Sequence, residues 1–509
     1  MIEILLNDNA YEQDIRELLM AFYPGETFSH EPIPQSDFSV EGMIDAQKGQ
    51  FDIKIISHKQ QEFVALPADL GEELEFELEQ LEEPIEVDYE NRLETKSRIK
   101  RRLYALLVLR TGRLLPWGTL TGIRPTKIIM TKLQEGVSWE EVVSYMKKSY
   151  FTSEEKIALA FKTAVYEKKL LETLDYKNGY SLYIGIPFCP TTCLYCSFTS
   201  FPIGQWKEHT QVYLDALFHE MKAVAERMKG KVLDTVYFGG GTPTSLEADN
   251  LDWLLDKLED TFDLSNVREL TVEAGRPDSI TREKLAVLKK HGVTRISINP
   301  QTMNQRTLDL IGRRHTVEQV KECFHMARQM GFDNINMDLI VGLPEEEMED
   351  VRHTMEEIFI LNPDSITVHS LAVKRAARLN TMKEIYKDLK IINTQEMIDL
   401  TADYAARMEM EPYYLYRQKN MAGNFENVGY AKEGKACLYN ILIMEEKQTI
   451  AACGAGTTTK VLYQEENRIE RAENVKDVFQ YIERIDEMIE RKQKLLTDFK
   501  GSIYKTTQI

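Results

Sequence analysis

Short apolar runs alternate with longer amphipathic stretches between about residue 181 and residue 370. Six apolar runs, rich in β-branched and aromatic residues, follow in order: "LYIGI", "TVYFGG", "LTVEA", "RISIN", "INMDLI" and "SITVHS". The stretches between them, such as "HTQVYLDALFHEMKAVAERM", repeat their apolar positions every three to four residues, as helices do. This alternation predicts βαβ units and a parallel sheet. Six units are too few for a closed eightfold barrel, so we expect an α/β fold with a partial (β/α)6 TIM-like barrel that has an open side.

The regions on either side of the predicted barrel lack this regular alternation. Residues 1–170 mix strand-like and helical runs and predict an N-terminal α+β accessory domain. Residues 171–390 form the barrel, and residues 391–509 predict a small C-terminal domain that covers the substrate. Several domains are expected for a chain of 509 residues. Within the first domain, the basic loop "GTLTGIRPTK" at residues 118–127 either contacts an anion or is only a connection.

The charge and the apolar content of the chain limit its partners. The formal net charge is −19 at pH 7, so we expect no binding of nucleic acid through bulk electrostatics. No window reaches the roughly 18 uninterrupted apolar residues that a membrane span needs. The first residues, "MIEILLNDNAYEQD", have no basic region followed by a long apolar run. We therefore expect a cytoplasmic protein without a membrane span.

Three of the six cysteines lie within the eight residues "CPTTCLYC". Cys189, Cys193 and Cys196 follow the spacing C-x3-C-x2-C, directly after the first predicted strand of the barrel. In a reducing compartment, clustered thiols serve metal binding or catalysis more often than disulfides. Three thiolates on a tight loop can hold three corners of a cubane 4Fe-4S cluster and leave the fourth iron without a protein ligand. Structural zinc is the alternative, but it needs a fourth ligand, and the nearest histidine in sequence is His209.

The cysteine motif and its surroundings resemble the radical S-adenosylmethionine (SAM) superfamily. The segments "YIGIPFCPTTCLYCSF", "YFGGGTPTSL", "LTVEA", "ISINPQTMNQRTLDLIGRRH" and "INMDLIVGLP" are similar, in this order, to the oxygen-independent coproporphyrinogen III oxidase branch. The long N-terminal domain and the "LTGIRPTK" loop resemble its sub-branch of HemZ-type coproporphyrinogen dehydrogenases. The resemblance implies a 4Fe-4S cluster whose open iron is chelated by SAM. One-electron reduction of such a cluster cleaves SAM to a 5′-deoxyadenosyl radical.

The resemblance also implies which residues bind these cofactors. Cys189, Cys193 and Cys196 match the ligands of the cluster. Further positions match contacts of SAM: Tyr183, Tyr195, Gly240, Gly241, Thr242, Glu273, Gln301, Arg313, Asp338 and Ala372. Among these, Gln301, Arg313 and Asp338 imply a second SAM molecule.

Each of these residue types also has a structural explanation. The glycines fit an ordinary turn, and the two carboxylates fit a helix cap or a satisfied ion pair. Arg313 can instead interact with the carbonyl groups at the end of the preceding helix. Plain packing accounts for Tyr183 and Ala372.

The reaction implied by the resemblance is the oxidative decarboxylation of coproporphyrinogen III to protoporphyrinogen IX in porphyrin and haem biosynthesis. Two propionates become vinyl groups in this reaction. The implied partners are the porphyrinogen and a low-potential electron donor such as flavodoxin or ferredoxin. A tetra-anionic porphyrinogen needs cationic partners, and the candidates are Arg276, Lys374, Arg375, Arg417 and Lys419.

Two departures from the family pattern keep other functions open. Phe198 stands where the characterised oxidases carry a further cysteine. Tyr439 stands where haem chaperones of the superfamily carry the histidine of a His-Asn-x-x-Tyr-Trp signature, whereas "GRRH" at residues 312–315 resembles the chaperone and HemZ-type branches. One alternative is a radical SAM enzyme that acts on haem by methylation and ring opening. The other is a non-enzymatic haem-binding or delivery protein.

Overall fold

The structure of this protein is a computed structural model that describes residues 1–59, 64–122, 124–374, 377–386, 388–418, 421–463, 466 and 468–504. The chain divides into two compact units. The first unit contains Met1–Val165 and Tyr416–Glu426, and the second contains Tyr166–Leu415 and Asn427–Ile509. Most of residues 391–509 thus group with the predicted barrel in this division, and the organisation into three domains stays a prediction.

The described residues of the first unit form a five-stranded mixed sheet and several helices. The strands are β1 (Ile2–Leu6), β2 (Phe28–Ser29), β3 (Phe38–Asp45), β4 (Gln50–Ser57) and β5 (Ile85–Glu86), in the spatial order β2-β1-β3-β4-β5. The helices are α1 (Glu12–Phe22), α2 (Glu72–Glu79), α3 (Arg92–Thr111), α4 (Thr126–Gln134), α5 (Trp139–Tyr150) and α6 (Glu154–Leu171), the last of which continues into the second unit. Apolar side chains of α1, α3 and the sheet form one buried core.

Helix α3 shows how local sequence sets the elements of this unit. The Asn91 side chain accepts a hydrogen bond from the Glu94 amide at 3.2 Å and so caps the first turn. Gly112 ends the helix with a φ of 63°, a conformation that suits glycine. Between these ends, Ile99 and Leu103 are fully buried against the sheet and α1, so the helix is held by its apolar face.

The second unit contains the strands and helices of the predicted barrel. Its strands are β6 (Gly179–Ile186), β7 (Phe188–Cys189), β8 (Phe201–Pro202), β9 (Val232–Gly240), β10 (Glu269–Gly275), β11 (Arg295–Ile298), β12 (Ile335–Val341), β13 (Ser365–Ser370), β14 (Glu411–Tyr416), β15 (Asn427–Ala431), β16 (Thr449–Cys453), β17 (Thr458–Tyr463) and β18 (Arg468–Glu473). Its helices are α7 (Thr210–Met228), α8 (Ala248–Thr261), α9 (Arg282–Lys290), α10 (Gln305–Leu310), α11 (Val317–Gln329), α12 (Met348–Leu361), α13 (Arg378–Thr381), α14 (Lys383–Tyr386), α15 (Gln395–Arg407), α16 (Leu438–Met444), α17 (Val478–Glu483) and α18 (Ile485–Tyr504). Within the described part of the chain, no helix combines the length and the apolar character that crossing a membrane requires.

The predicted partial barrel is confirmed. Strands β6, β9, β10, β11, β12 and β13 lie side by side in chain order, and each pairs with the next in parallel. Among the described residues these strands do not close on themselves, because other strands occupy both edges. Strand β16 pairs in parallel with β6, followed by antiparallel β17 and β18, while antiparallel β15 pairs with β13. The later part of the chain therefore extends the barrel sheet at both edges.

The register of the sheet decides which side chains share its inner face. Tyr183 of β6 pairs with Tyr237 of β9, and Tyr237 pairs with Thr271 of β10. Directly paired residues point to the same face, and so does every second residue along a strand. Glu273, two residues after Thr271, therefore shares this face with the two tyrosines. The loops after these strands lie at one rim, where α/β barrels carry their functional groups.

Candidate metal and cofactor centre

The three cysteines lie at the rim of the barrel, on the segment that follows β6. Cys189 ends the short strand β7, and the Cys196 amide donates to the carbonyl of Cys193 at 3.3 Å in a tight turn. Leu194 anchors this turn, because its amide donates to the Ile311 carbonyl at 2.9 Å and its side chain is buried with that of Ile311. The two later cysteines are thus fixed on either side of an anchored apolar residue.

The environment of the thiols favours the protonated form in the absence of a cation. Burial raises the pKa of Cys189 to about 11 and also raises the pKa of Cys196, and neighbouring thiols of the same segment add to both effects. Positive charge is nearby, since Nη1 of Arg276 lies 3.8 Å from the Cys193 sulfur. A bound metal holds cysteines as thiolates, so metal loading would release protons from this segment.

The spacing of the sulfur atoms is wrong for one zinc ion. Zinc–sulfur bonds of about 2.3 Å bring tetrahedral ligands to about 4 Å from one another. Among the described His, Cys, Asp and Glu side chains, the group with three ligand atoms within 4.8 Å of one another is Asp256, Glu259 and His291. The ring of His209 packs on Phe479 instead, with centroids 5.3 Å apart. Three separated thiols without a histidine fit a cubane cluster that leaves one iron for a non-protein ligand.

The glycine loop after β9 packs directly on the segment that carries the cysteines. The Gly241 amide donates to the Ile186 carbonyl at 2.8 Å, and the Thr242 amide donates to the Phe188 carbonyl at 2.7 Å. A Cβ atom on Gly241 would lie 2.5 Å from the Phe188 carbonyl oxygen, so a side chain does not fit there. The Thr242 hydroxyl lies 3.4 Å from the Cys189 sulfur. This loop thus fixes the first cysteine.

A stack of three tyrosines lies beside Glu273. The rings of Tyr183 and Tyr237 are 6.0 Å apart and tilted by 11°, and those of Tyr237 and Tyr439 are 4.5 Å apart and tilted by 25°. The Tyr237 hydroxyl donates to Oε1 of Glu273 at 2.6 Å. Burial raises the pKa of Glu273 to about 7, the Tyr237 hydrogen bond opposes this shift, and the negative charge of Asp338 adds to it. Glu273 therefore changes its charge near neutral pH.

Gln301, three residues beyond the end of β11, lies beside Asp338 in the middle of β12. The Gln301 amide donates to the Asp338 carbonyl at 3.0 Å, and the Gln301 carbonyl accepts from the Ile340 amide at 2.9 Å. Gln301 has a φ of 70°, in the left-handed region that costs a residue with a side chain about 1 to 2 kcal/mol. The Asp338 carboxylate accepts a hydrogen bond from the Asn336 side chain at 2.7 Å. The backbone at Gln301 is thus held in an unfavourable conformation next to a carboxylate of the inner face.

A lysine and a histidine accompany these groups at the rim. Lys374 lies shortly after β13, and its Nζ is 5.4 Å from the ring centroid of Phe198, a side chain that is 69% exposed. Burial lowers the pKa of Lys374, and the nearby Cys196 opposes this shift. Burial also lowers the pKa of His369. The negative charge of Asp338 opposes this shift, and the positive charge of Lys374 adds to it. Lys374, one of the five predicted substrate cations, is thus within electrostatic range of Cys196 and of His369.

Arg313 connects the cysteine segment to the end of β11. Its Nη1 donates to the Tyr195 hydroxyl at 2.9 Å, and its Nη2 donates to the Asn299 carbonyl at 2.6 Å. These contacts differ from the structural alternative, in which the guanidinium binds the last carbonyls of α10. The buried Nε has no hydrogen-bond partner within the described part of the chain. One donor of this arginine is therefore left for a ligand or a water molecule.

The remaining predicted residues lie in different environments. Arg276 is buried, forms an ion pair with Asp278 at 2.6 Å and donates to the Thr191 hydroxyl at 2.6 Å, so its donors support the cysteine segment rather than a substrate. Arg417 belongs to the first unit. The predictions for Arg375 and Lys419 lie outside the described residues. Ala372 follows β13 directly and is half-buried.

Two neighbours of the site, Tyr237 and His369, were not predicted from the sequence. Tyr237 stands two residues before Gly239 in "TVYFGG", so the period of a strand puts it on the same face as that glycine. The sequence does not reveal that this face also carries Glu273, because the partner strand lies more than thirty residues away. His369 interacts with Asp338 through a similarly distant pairing of β12 and β13.

Comparison with known proteins gives one family match and several relatives. The model of the Radical SAM superfamily matches residues 183–358. The oxygen-independent coproporphyrinogen-III oxidase-like protein HemZ of Bacillus subtilis is 44% identical over 397 residues, which cover 77% of this chain and 79% of that protein. The heme chaperone HemW of Bacillus subtilis is 32% identical over 270 residues, which cover 53% of this chain and 68% of that protein.

A solved structure supports the same fold. The coproporphyrinogen III oxidase HemN of Escherichia coli, described as a radical SAM enzyme, superposes with a TM-score of 0.50 at 22% identity, over 63% of this chain and 73% of that chain. The partial barrel, the thiol triad at its rim and the family match define the class of radical SAM proteins. More closely, the chain belongs to the HemN/HemZ family of this superfamily. Its cofactors are those of the superfamily, a 4Fe-4S cluster and SAM.

Proposed function

We propose that this protein is an oxygen-independent coproporphyrinogen III oxidase, which converts two propionates of coproporphyrinogen III to the vinyl groups of protoporphyrinogen IX. The similarity to HemZ over most of both chains supports this class of substrate. The observation that carries the proposal is the place of Tyr439. Its ring is buried in the tyrosine stack beside Glu273, where haem chaperones of this family carry a histidine. A tyrosine held in this way leaves no histidine to bind haem at that position.

In this proposal, the residues of the rim hold the cofactors. Cys189, Cys193 and Cys196 hold three irons of the cluster, and the glycine loop with Thr242 lies against the first of these ligands. SAM carries an ammonium and a sulfonium group, so a carboxylate such as Glu273 suits its positive charges. The predicted second SAM molecule would use Gln301, Asp338 and the Nε donor of Arg313. Tyr195, whose hydroxyl is already bound by Arg313, offers its ring as a surface for an adenine.

The substrate end of the site has to bind carboxylates and exclude water. When bound, the cluster and SAM supply a 5′-deoxyadenosyl radical that takes one hydrogen atom from the β-carbon of a propionate. The propionate then loses carbon dioxide and one electron to an acceptor, and a vinyl group is left. Lys374 is the described cation placed to bind a propionate near the cysteine segment. The tyrosine stack fills part of the interior beside Glu273, which limits the room for water near a radical.

Two other functions remain candidates, each with its own support. The similarity to HemW supports a haem-binding or delivery protein that makes no product. The radical SAM family itself supports an enzyme that methylates haem and opens its ring. Electron supply is common to all radical reactions of this class, and we propose a low-potential donor such as flavodoxin or ferredoxin.

An anaerobic assay separates the three functions. The full-length protein, with its cluster reconstituted and reduced, is incubated with SAM and coproporphyrinogen III, and in a second reaction with haem, and the products are identified by mass spectrometry. We expect loss of two carboxyl groups from coproporphyrinogen III. A ring-opened methylated tetrapyrrole, or haem retained at one equivalent with no product, would each overturn the proposal in favour of one alternative.

Cysteine variants test the cluster independently of the substrate. Cys193→Ala is expected to lose the iron chromophore and the reductive cleavage of SAM, because two thiolates cannot hold the cluster. Cys323→Ala is the matched control, since Cys323 is a buried free thiol on α11 outside the triad. Full iron content and deoxyadenosine production in the Cys193 variant would refute the assignment of the cluster ligands.

A further inference from the structure

A cleft in the first unit is lined in part by Thr121, which belongs to the basic stretch at residues 118–127. The other residues that line it include Glu17, Met20, Arg417, Met421 and Asn424. The cleft encloses a cavity of about 30 Å³ and measures about 450 Å³ with its mouth included. This space suits a ligand of a few heavy atoms. No residue of the proposed cofactor site takes part in the lining.

Two buried cations adjoin this cleft. Arg417 is 3% exposed and Lys100 is 7% exposed. Arg417 donates to the Leu120 carbonyl and to the side chain and carbonyl of Asn424. Lys100 donates to the Thr121 hydroxyl at 2.9 Å. Neither forms an ion pair with a carboxylate among the described residues, although buried cations are normally paired.

The carboxylates around the cleft already have partners. Glu426 is buried and accepts hydrogen bonds from Lys156 at 2.8 Å and from the Trp117 indole at 2.7 Å. Lys156 also pairs with Glu155 at 3.3 Å. Glu17 accepts from the Thr121 hydroxyl at 3.1 Å. Among the described cations of this group, Arg417 and Lys100 therefore lack an ion pair, which a bound anion would supply.

The pKa values of the two cations agree with the absence of an ion pair. Burial lowers the pKa of Lys100 to about 8, and Lys96 and Arg417 lower it further while Asp14 and Glu17 oppose the shift. Burial lowers the pKa of Arg417 to about 10, with Glu426 opposing. Both shifts disfavour the charged forms, which means that the protein does not fully compensate the cost of burying these two positive charges.

Unused hydrogen-bond donors occur in the same place. The Nε of Arg417 and the Nδ2 of Asn424 are buried, and neither has an acceptor within the part of the chain that the structure describes. Asn424 has a φ of 58°, so its backbone adopts the left-handed conformation that presents this residue to Arg417. Two N–H donors without acceptors, next to two buried cations that lack an ion pair, are the complement of an oxyanion.

We propose that this cleft binds a small oxyanion, a carboxylate or a phosphate group, between Arg417, Lys100 and Asn424. The ligand supplies the ion pair that Arg417 and Lys100 lack and the acceptors that the two donors lack. The loop at residues 118–127 takes part through Leu120 and Thr121, which hold Arg417 and Lys100 in place. This site is independent of the proposed oxidase reaction, because all its residues belong to the first unit.

Binding of two probes to the full-length protein tests the proposal. Sodium phosphate and sodium acetate are titrated by calorimetry, and the thermal midpoint is measured in each salt against sodium chloride at equal ionic strength. We expect one saturable site for at least one probe. If phosphate alone binds, the natural ligand carries a phosphate group, and if acetate alone binds, it carries a carboxylate. Binding of both probes would support an oxyanion site that accepts either group. No saturable binding of either probe would overturn the proposal.

Variants locate the binding within the cleft. Arg417→Met and Lys100→Met are expected to weaken binding of the probe by about tenfold or more, the loss of a charged hydrogen bond. Asn424→Gly removes a side-chain donor, and glycine adopts the positive φ of this position without strain. The variant should therefore lose binding of the probe and keep its fold. Lys48→Met, at an exposed lysine of the same unit, is the matched control. Unchanged binding in Arg417→Met and Asn424→Gly would overturn the assignment to this cleft.

Discussion

Replacement of Glu273 by glutamine should make the cofactor-free protein more stable at pH 8. The folded protein holds the pKa of Glu273 at about 7, against an ordinary value of 4.5. Between these two values the folded state keeps a proton that the unfolded state has lost, so the stability of the parent protein falls as the pH rises through this window. The difference of about 2.5 pH units, at about 1.4 kcal/mol each, gives an upper limit of about 3 to 4 kcal/mol.

The variant Glu273→Gln keeps the shape of the side chain and cannot ionise. Its oxygen can still accept from the Tyr237 hydroxyl, which lies 2.6 Å from Oε1 in the parent protein. We therefore expect no gain in stability near pH 4.5 and a gain that grows to its full value above pH 7. Thermal unfolding at pH 5, 6, 7 and 8 measures this difference. Glu226→Gln, on the exposed face of α7, is the control and should show no such trend.

The same variant should lose affinity for SAM. If Glu273 is kept in an unfavourable environment because a cationic ligand needs its carboxylate, the gain in stability is coupled to a loss of function. Calorimetry with SAM on the reconstituted protein is expected to give a dissociation constant raised by about tenfold or more, from one lost charged hydrogen bond. A stability difference that is the same at every pH would refute the reasoning about Glu273. Unchanged SAM affinity would refute its role as a ligand.

Two further predictions concern the rim. Arg313→Ala should reduce the number of SAM molecules bound from two to one and leave the cluster intact. Arg314→Ala, at the exposed neighbouring arginine, should change neither. A stoichiometry of one in the parent protein would contradict the second site. Gly241→Ala should lower iron loading, because its Cβ would lie 2.5 Å from the Phe188 carbonyl oxygen. Gly204→Ala is the control, since a Cβ at this position meets nothing within 4 Å. Equal iron content in both variants would contradict the packing argument.

Much of the barrel could be predicted because its signals are local. Each of the six central strands is a short apolar run followed by a helical pattern, and the parallel order follows from chirality and connection length. The strands at the edges carry no such signal. Strand β16 pairs with β6, although more than 250 residues separate them, and nothing in "TIAAC" distinguishes it from a strand elsewhere. Its place depends on tertiary packing alone.

The site was predictable to the same extent. The cysteines and glycines form contiguous motifs, so their identity could be inferred from spacing. The residues that form hydrogen bonds with site residues come from distant segments, as the pairs Arg313 with Tyr195 and Tyr237 with Glu273 illustrate. Arg276 shows the opposite error. Its sequence position suggested a substrate cation, whereas its donors are used by Asp278, Thr191 and the Cys193 sulfur.

The use of Arg276 has a physical reason that also bears on Arg313. Metal binding converts three buried thiols to thiolates, and negative charge in a buried site is costly unless cations or hydrogen bonds compensate it. Arg276 reaches the Cys193 sulfur from the end of β10, and Arg313 reaches Tyr195, between the second and third cysteines, from beyond β11. Two segments that follow barrel strands thus each supply a fixed positive charge close to the cysteines. Because Arg276 contacts a cysteine sulfur whereas Arg313 contacts Tyr195, replacing Arg276 should affect cluster loading and replacing Arg313 should affect ligand binding.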